Sequence, residues 1–323
     1  TLQGEVRTLQ LAAVQMVSQP GQVAANLEHA AALVEQAARD GAQIVVLPEL
    51  SACGYTLTRE LWDMAERRDG PTSRWARQIA RKLRVHLGIG FVEADGEDFY
   101  NTYLLANPEG EIAGYARKTN AETYFFRRAP GPHVVCTAIG KIGIGICADN
   151  QQTPMREQVP IWRQMQDAAV DLMLMPHAWP DAWRPTRASP ERDMLQARAK
   201  MRMIAPLYAG LLGVPSAFVN QVGPLRNERW PGLIGRLMGE DHESYRFLGL
   251  STIADSDGAI VGQIAEGEEA VVVASVTLDP ARKRRNEPRT YGRYRWLHPG
   301  SPLRDLIIGI DFHRGIRWYT RND

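Results

Sequence analysis

Short apolar runs alternate with one long amphipathic segment at the start of the chain. Residues 9–17 (LQLAAVQMV) form an apolar run of strand length, and the β-branched run at 44–47 (IVVL) is typical of a strand covered on both faces. Between them, residues 24–39 carry apolar side chains at three- and four-residue spacing, which predicts an amphipathic helix. Gly41 can end that helix because glycine adopts the left-handed conformation without a Cβ penalty. The pattern therefore predicts a strand–helix–strand unit.

This unit recurs later in the chain with the same order of residue types. Residues 40–49 (DGAQIVVLPE) resemble residues 167–177 (DAAVDLMLMPH), since each segment has four apolar residues followed by a proline and a polar residue. A proline cannot donate to a β ladder, so it ends the strand and presents the next side chain, Glu49 or His177, at the strand's C-terminal end. The two segments predict a two-halves symmetry in the fold.

The rest of the chain supplies helices and strands that alternate at first and later pair as hairpins. Turn sequences at 107–110 (NPEG) and 255–258 (DSDG) predict two of these hairpins. The order favours an α/β fold of mixed sheets covered by helices, and no Pro/Gly/Ser-rich linker divides the chain. We expect one domain over residues 1–281 and a C-terminal extension at 282–323. Helices are predicted at 72–84, 157–169 and 191–212, and strands at 85–92, 100–106, 111–116, 141–146, 216–221, 248–254, 259–264 and 270–278.

Composition narrows the class of protein and its environment. The 323 residues include 38 Lys and Arg against 37 Asp and Glu, so the net charge of +1 creates no overall field for nucleic acid or an acidic membrane. Apolar stretches such as 270–278 are shorter than the roughly 18 residues of a membrane helix, and residues 1–7 lack a secretion-signal pattern. Three cysteines without a C-x-x-C pair and seven histidines without ligand spacing argue against disulfides and metal sites. We expect a soluble, cytoplasmic protein without a metal.

The C-terminal extension carries a local excess of positive charge. These basic residues could form a nucleic-acid patch with aromatic stacking surfaces, or an arm that pairs with carboxylates on the body or on a neighbouring subunit. The near-zero net charge favours the arm, so nucleic acid is not expected as a partner. The basic residues are Arg282, Lys283, Arg284, Arg285, Arg289, Arg293 and Arg295, and the aromatic residues are Tyr291, Tyr294 and Trp296.

Cys147 is the sharpest candidate for a nucleophile. It follows the apolar run at 141–146 and stands in the sequence GIGICAD (143–149), where a strand gives way to short and polar residues. Backbone N–H groups at a strand-to-helix turn favour a thiolate and can stabilise an oxyanion. The cysteine could equally be a small core residue. A dinucleotide-binding G-x-G-x-x-A pattern at 143–148 is disfavoured because its glycines lie inside the strand.

Two charged residues stand at the ends of other predicted strands. Glu49 directly follows a buried strand, where desolvation would raise its pKa and make it a proton acceptor near neutrality. Lys118 closes the strand at 111–116 and is one of five lysines against 33 arginines, which suggests a role for a compact ammonium. A salt-bridged glutamate and an ordinary edge-strand lysine are the structural alternatives. His177 is the only histidine expected near a pocket, and no G-x-S-x-G turn supports a serine hydrolase.

In their order and spacing these strand ends resemble the nitrilase superfamily of carbon–nitrogen hydrolases. The resemblance covers most of the chain, and its specificity comes from the motifs taken together. They are AAVQM (12–16), VLPELSACGY (46–55), YNTYLLANPEGEIAGYARK (100–118), GIGICAD (143–149), LMLMPHAW (172–179), GVPSAFVNQVG (213–223) and FLGLSTIADSDGAIVGQIAEGEEAVVVASVTLD (247–279).

This resemblance implies an αββα sandwich that forms a homodimer or a higher homo-oligomer and needs no cofactor. It implies that Glu49 is the general base, Lys118 the oxyanion donor and Cys147 the nucleophile. Glu122 is the candidate for a second glutamate that many members carry. The residues expected to line the substrate pocket are Tyr55, Tyr124, His177 and Trp179.

The chain departs from the family pattern close to the nucleophile. Ala148 replaces a commonly aromatic or polar residue, Asn150-Gln151-Gln152 replaces a stretch with an arginine or aromatic residue, and Asn120 replaces a histidine. These changes leave the substrate open. Asp149, two places after the cysteine, favours an amide or N-carbamoyl substrate over a nitrile. The alternatives are nitrile hydrolysis by the same residues and a catalytically silent binding or assembly module.

Overall fold

Fourteen strands and six helices make up the part of the chain that the structure describes. The computed structural model describes residues 5–131, 133–150, 160–180, 190–225, 246–284 and 302–321. The strands are β1 (Arg7–Gln15), β2 (Ile44–Val46), β3 (His86–Asp95), β4 (Asp98–Ala106), β5 (Ile112–Arg117), β6 (Val134–Cys136), β7 (Lys141–Ile144), β8 (Leu172–His177), β9 (Ser216–Asn220), β10 (Val222–Pro224), β11 (Arg246–Leu248), β12 (Thr252–Ala254), β13 (Ile260–Gln263) and β14 (Ala270–Leu278). The helices are α1 (Val23–Arg39), α2 (Glu60–Asp63), α3 (Pro71–Leu83), α4 (Ile161–Ala168), α5 (Pro190–Leu212) and α6 (Pro302–Tyr319).

Two six-stranded mixed sheets contain most of the strands. Their orders are β14-β1-β2-β3-β4-β5 and β13-β12-β9-β8-β7-β6, and β10 and β11 form a separate pair. In the first sheet β2 runs parallel to β1 and β3, and in the second β8 runs parallel to β7 and β9. The repeated segments at 40–49 and 167–177 therefore contribute corresponding parallel strands, which confirms the predicted two-halves symmetry.

The two sheets pack face to face, and helices cover their outer faces. The inner core joins Leu11 and Ile44 of the first sheet to Ile142 and Leu174 of the second. Helices α1 and α3 pack on the outer face of the first sheet, and α4 and α5 pack on the outer face of the second. The buried apolar positions of α1 follow the expected helical spacing: Leu27, Ala30, Val34 and Ala37. This confirms the αββα sandwich.

Differences from the predicted elements have local physical causes. The predicted strand at 248–254 is divided into β11 and β12 because Gly249 and Leu250 both take positive φ angles, 74° and 61°. The hairpins at 107–110 and 255–258 are confirmed, since β4 pairs antiparallel with β5 and β12 with β13. Neither β6 nor α6 was predicted. The predicted helix at 157–169 is observed as α4, and its first three positions lie outside the described residues.

The described basic residues of the C-terminal extension bind groups of the body. Lys283 pairs with Asp171 at 2.7 Å, Arg282 pairs with Asp279 at 3.4 Å, and Arg284 donates to the carbonyl of Gly210 at 2.7 Å. The remaining arginines and the three aromatic residues of the predicted patch lie outside the described residues. Within the described ranges no helix has both the length and the apolar character needed to cross a membrane.

Candidate active site

The ends of three strands bring the predicted charged residues and the cysteine to one region between the sheets. Glu49 follows β2, Lys118 follows β5, and Cys147 follows β7. The chain turns sharply at two of these points, since Leu50 and Cys147 have φ angles of 47° and 46°. A positive φ is strained for residues other than glycine and is often held at functional sites by the surrounding structure.

Glu49 is fully buried and every oxygen of its carboxylate has a donor. Oε1 accepts hydrogen bonds from Lys118 Nζ at 2.6 Å and Asn101 Nδ2 at 2.8 Å, and Oε2 accepts the backbone N–H of Ala178 at 2.8 Å. Gln221 Nε2 donates to the Glu49 backbone carbonyl at 2.7 Å. Burial raises the pKa of Glu49, and the Lys118 ammonium opposes that rise. The result is a fixed carboxylate with increased basicity.

The Lys118 ammonium is shared between two carboxylates. Its side chain is 0% exposed, and Nζ donates to Glu49 Oε1 at 2.6 Å and to Glu122 Oε1 at 2.7 Å. Burial disfavours the charged form, but Glu122 and Glu49 outweigh it and raise the pKa of Lys118 well above its usual value. Tyr55 also donates to Glu122 Oε1, at 3.0 Å. Lys118 therefore stays protonated and is held in one orientation.

Cys147 opens a 3-10 turn (Cys147–Asn150) and is partly exposed, whereas Ile146, Asp149 and Asn150 are buried. Burial by surrounding protein and the charge of Glu49 raise the pKa of the thiol well above its usual value, and Lys118 acts in the opposite sense. The charge of Glu122 also acts on this sulfur, so all three charged side chains influence it. The resting thiol is protonated and needs a base before it can attack.

Asp149 fixes the turn that carries Cys147 to the segment that carries Lys118. Its Oδ1 accepts the backbone N–H of Asn120 at 2.7 Å, and its Oδ2 accepts the backbone N–H of Ile146 at 3.3 Å. Burial raises the pKa of Asp149, and His133 opposes the rise. The Asp149 carboxylate is therefore hydrogen-bonded to the backbone of both segments and holds them together.

The four predicted pocket residues lie in different surroundings. Tyr55 is buried and bonded to Glu122 as described, and Tyr124 donates to Asp311 of α6 at 3.2 Å. Trp179 is partly buried and its backbone N–H donates to Asn220 at 2.8 Å. His177 is 0% exposed, its Nδ1 bonds the carbonyl of Met175 at 2.8 Å, and burial lowers its pKa to about 3. The assignment of these four side chains to a substrate pocket stays a prediction.

Sequence reasoning missed three groups that bind Glu49: the amides of Asn101 and Gln221, and the backbone N–H of Ala178. Asn101 lies inside strand β4 beside the run at 103–106, and Gln221 directly follows strand β9, whose middle residues, 217–219, are apolar. A polar side chain that is buried beside an apolar run needs a hydrogen-bond partner. This requirement was the signal in the sequence that could have revealed the two amides. Nothing in the sequence marks a backbone N–H such as that of Ala178.

The arrangement supplies the parts of a thiol-based acyl transfer. A carboxylate of increased basicity can accept a proton, a buried ammonium can stabilise a developing oxyanion, and a partly exposed thiol can act as a nucleophile once it is deprotonated. Among the described residues no three His, Cys, Asp or Glu side chains converge as they would to hold a metal ion. Residues 151–159, which follow the turn at Cys147, and residues 181–189 lie outside the described ranges.

Comparison with known proteins identifies the family. The carbon-nitrogen hydrolase family model matches residues 10–286, so the chain belongs to the carbon-nitrogen hydrolase family. This confirms the resemblance found in the sequence and the class of enzyme.

Individual members of the family share less than a third of their residues with this chain in the matches that follow. A nitrilase of Pyrococcus abyssi is 28% identical, and the match covers 86% of this chain and 93% of the relative. An N-carbamoylputrescine amidase of Solanum lycopersicum is also 28% identical, over 90% of this chain and 91% of that protein. The crystal structure of a carbon-nitrogen hydrolase from Helicobacter pylori G27 matches with a TM-score of 0.70 and 20% identity, covering 94% of this chain and 97% of that one.

Proposed function

We propose that this chain hydrolyses small amides or N-carbamoyl compounds through a thioester on Cys147. The observation that carries the proposal is the shared position of Lys118 Nζ, 2.6 Å from one carboxylate and 2.7 Å from another, in the electrostatic surroundings of the Cys147 thiol. A cation held in this way can stabilise negative charge beside the nucleophile without any rearrangement.

In the first step Glu49 accepts the thiol proton of Cys147. The raised pKa of the thiol means that the neutral form predominates at rest, and the raised pKa of Glu49 makes its carboxylate a stronger acceptor. The sulfur forms a bond to the carbonyl carbon, and the electron pair of the C=O bond moves to oxygen. Lys118 and the backbone N–H groups at the start of the 3-10 turn stabilise this oxyanion.

The remaining steps return the enzyme to its starting state. The C–N bond breaks, Glu49 gives its proton to the leaving nitrogen, and a thioester stays on Cys147. Glu49 then accepts a proton from water, whose oxygen attacks the thioester carbon. The C–S bond breaks, the acid product leaves, and the thiol regains its proton from Glu49. Glu122 keeps Lys118 oriented through both halves of the reaction.

Unsatisfied buried acceptors favour an amide or N-carbamoyl group over a nitrile. Glu122 Oε2 and Asn101 Oδ1 are buried and have no hydrogen-bond partner among the residues that the structure describes. Both side chains also bind the Lys118–Glu49 pair, so these oxygens belong to the same site. An –NH₂ group offers two donors to such acceptors, whereas a nitrile offers none. The N-carbamoylputrescine amidase relatives are consistent with this preference.

Nitrile hydrolysis is the second candidate. It is supported by the relative named as a nitrilase, whose match covers 86% of this chain. The same thiol would attack the nitrile carbon, and ammonia would be released after addition of two waters. The unsatisfied acceptors argue against it, because a site built to bind an N–H group strongly rejects an analogue that lacks one.

Ammonia release and intact mass test the proposal together. The purified protein is given butyramide, N-carbamoylputrescine and butyronitrile, and we expect turnover of an amide or N-carbamoyl compound with a transient acyl adduct. Cys147→Ala should abolish both signals. Cys136→Ala is the matched control and should change neither, since Cys136 is an exposed free thiol that pairs with Lys141 at the start of β7, whereas Cys147 follows the other end of that strand. Absence of turnover and adduct across the panel would support a catalytically silent module instead.

A further inference from the structure

Helix α6 contacts the two residues that directly follow Glu122. Thr123 Oγ1 donates to the backbone carbonyl of Phe312 at 2.9 Å, and the Tyr124 hydroxyl donates to Asp311 Oδ1 at 3.2 Å. Thr123 and Asp311 are both buried at this contact. The peptide segment that carries Glu122 is therefore held from outside by the C-terminal helix.

The same face of α6 is fixed to the body at several further points. Arg59 lies over the Trp318 ring at 4.4 Å, and Arg128 lies over the Phe312 ring at 4.7 Å. The backbone N–H of Phe99 donates to the Tyr319 hydroxyl at 2.9 Å. The contacting positions of the helix are spaced as on a single helical face: Asp311, Phe312, Gly315, Trp318 and Tyr319.

Gly315 sits at the closest approach of α6 to the Glu122 segment. A Cβ atom added there would overlap Thr123 Oγ1 and would lie 3.1 Å from the Thr123 carbonyl carbon. Thr123 Oγ1 cannot turn away without losing its bond to Phe312, and the backbone atom cannot turn at all. The glycine is required by this close approach.

We propose that α6 is a positioning element for Glu122, an inference that rests on the proposed function. Glu122 Oε1 must stay within hydrogen-bond distance of both Lys118 Nζ and the Tyr55 hydroxyl to orient the ammonium. The side chain of Glu122 is itself partly exposed, so its own burial does not fix it. The contacts of Thr123 and Tyr124 with α6 supply that constraint. Residues of the C-terminal extension thus act on the reaction through Glu122 without touching the substrate.

The test compares two glycine substitutions on one helix. Gly315→Ala introduces the overlapping Cβ, whereas Gly309→Ala places a Cβ where no atom lies within 4 Å among the described residues. Both changes raise the intrinsic helix propensity of α6 equally, so any difference between them reports the contact with Thr123. With butyramide as substrate we expect Gly315→Ala to lower kcat about 10- to 100-fold, with a smaller change in KM, because small displacements at a site have effects of this size. Gly309→Ala should leave kcat unchanged.

A double-mutant cycle separates positioning from general damage. In a Glu122→Gln background the further effect of Gly315→Ala should shrink to about twofold or less, since residues that act as a unit are not additive. If the two losses multiply fully, the helix does not act through Glu122 and the inference is wrong.

Hydrogen exchange supplies a readout that does not need turnover. We expect backbone amides in residues 120–128 to exchange faster in Gly315→Ala than in Gly309→Ala or in the unmodified chain. Equal exchange in the two variants would overturn the inference, whether or not any amide is hydrolysed.

Loss of activity in Glu122→Gln together with an unaffected Gly315→Ala would overturn the inference and leave the proposed function intact. Absence of turnover in the unmodified chain, with faster exchange in Gly315→Ala, would count against the proposed function alone.

Discussion

The Asp149 carboxylate accepts the backbone N–H of Asn120 at 2.7 Å and so joins the turn at Cys147 to the segment that follows Lys118. Its second oxygen accepts the N–H of Ile146, one residue before Cys147. One buried side chain therefore sets the relative position of the backbone segments that follow β5 and β7, two strands of different sheets. The strained turn at Cys147 depends on such external support.

We expect Asp149→Asn to impair both stability and turnover. The amide replaces one acceptor with an N–H group that faces a backbone N–H, which leaves a buried donor unpaired at a cost of about 1–3 kcal/mol. The value of kcat should fall about tenfold or more as Cys147 and Lys118 lose their alignment. Denaturant unfolding and ammonia release measure the two effects.

Asp257→Asn is the matched control for that variant. Asp257 also accepts a backbone N–H, from Ala259 at 2.9 Å, but it is exposed in the hairpin turn at 255–258. Its substitution should change the free energy of unfolding by less than about 0.5 kcal/mol and leave turnover unchanged. An Asp149→Asn protein that behaves like Asp257→Asn would show that the carboxylate does not align the site.

The placement of Glu49 could be predicted because local sequence determines it. A continuous apolar run followed by proline ends a buried strand, and the next side chain must lie at the C-terminal end of the sheet. The strand–helix order likewise predicts parallel strands with covering helices. These features depend on residues that are neighbours in the chain.

The contacts made over long sequence separations could not be predicted. Asn101 lies 52 positions from Glu49 along the chain, and a strand pattern does not reveal which side chain of another strand it will meet. Helix α6 was missed for a related reason. Its binding face is a mixture of one acid, one glycine and three aromatic residues, so it lacks the apolar stripe by which amphipathic helices are recognised.

We expect Asn101→Leu to move the acid limb of the pH–rate profile to higher pH. The Asn101 amide donates to Glu49 Oε1 at 2.8 Å, and this bond lowers the pKa of Glu49 against the rise caused by burial. Removing it favours the protonated carboxyl, so a higher pH is needed before Glu49 can act as a base. In the unmodified chain the limb should already lie above the ordinary carboxyl range. Values of kcat/KM measured across pH report the limb.

Gln221→Leu distinguishes that effect from loss of packing. Gln221 donates to the backbone carbonyl of Glu49 and not to its carboxylate, so this variant removes a neighbouring buried amide without altering the base. Its acid limb should stay where it is in the unmodified chain, even if kcat/KM falls. Equal displacement of the limb in both variants would contradict the assignment of that limb to the Asn101–Glu49 bond.

We expect Gly90→Ala to displace Glu49 from its partners. A Cβ at position 90 would overlap the backbone nitrogen of Leu50 and would lie 3.1 Å from two backbone atoms of Glu49. Overpacking of this kind costs about 1–3 kcal/mol of stability, and kcat should fall because the turn after β2 must shift. Gly210→Ala is the control, since no atom lies within 4 Å of its added Cβ among the described residues and helix α5 should gain up to about 1 kcal/mol. Unchanged kcat in Gly90→Ala would show that the turn can move without harm.

We expect His177→Phe to remove part of the acid sensitivity of the fold. Burial lowers the pKa of His177 to about 3, so between that value and the ordinary histidine range the unfolded chain binds a proton that the folded chain does not. Stability must therefore fall as pH decreases, by about 2 kcal/mol between pH 7.5 and pH 5 from this group. Phenylalanine keeps a planar ring against Phe218, whose ring centre lies 4.6 Å from that of His177, but has no proton to gain.

Denaturant unfolding at the two pH values should show a smaller decrease in the variant, whereas His313→Gln, which changes an exposed histidine of α6, should retain the full decrease. If the decrease is the same in all three proteins, His177 takes up a proton in the folded state as well. The conclusion that its buried imidazole stays neutral would then be wrong.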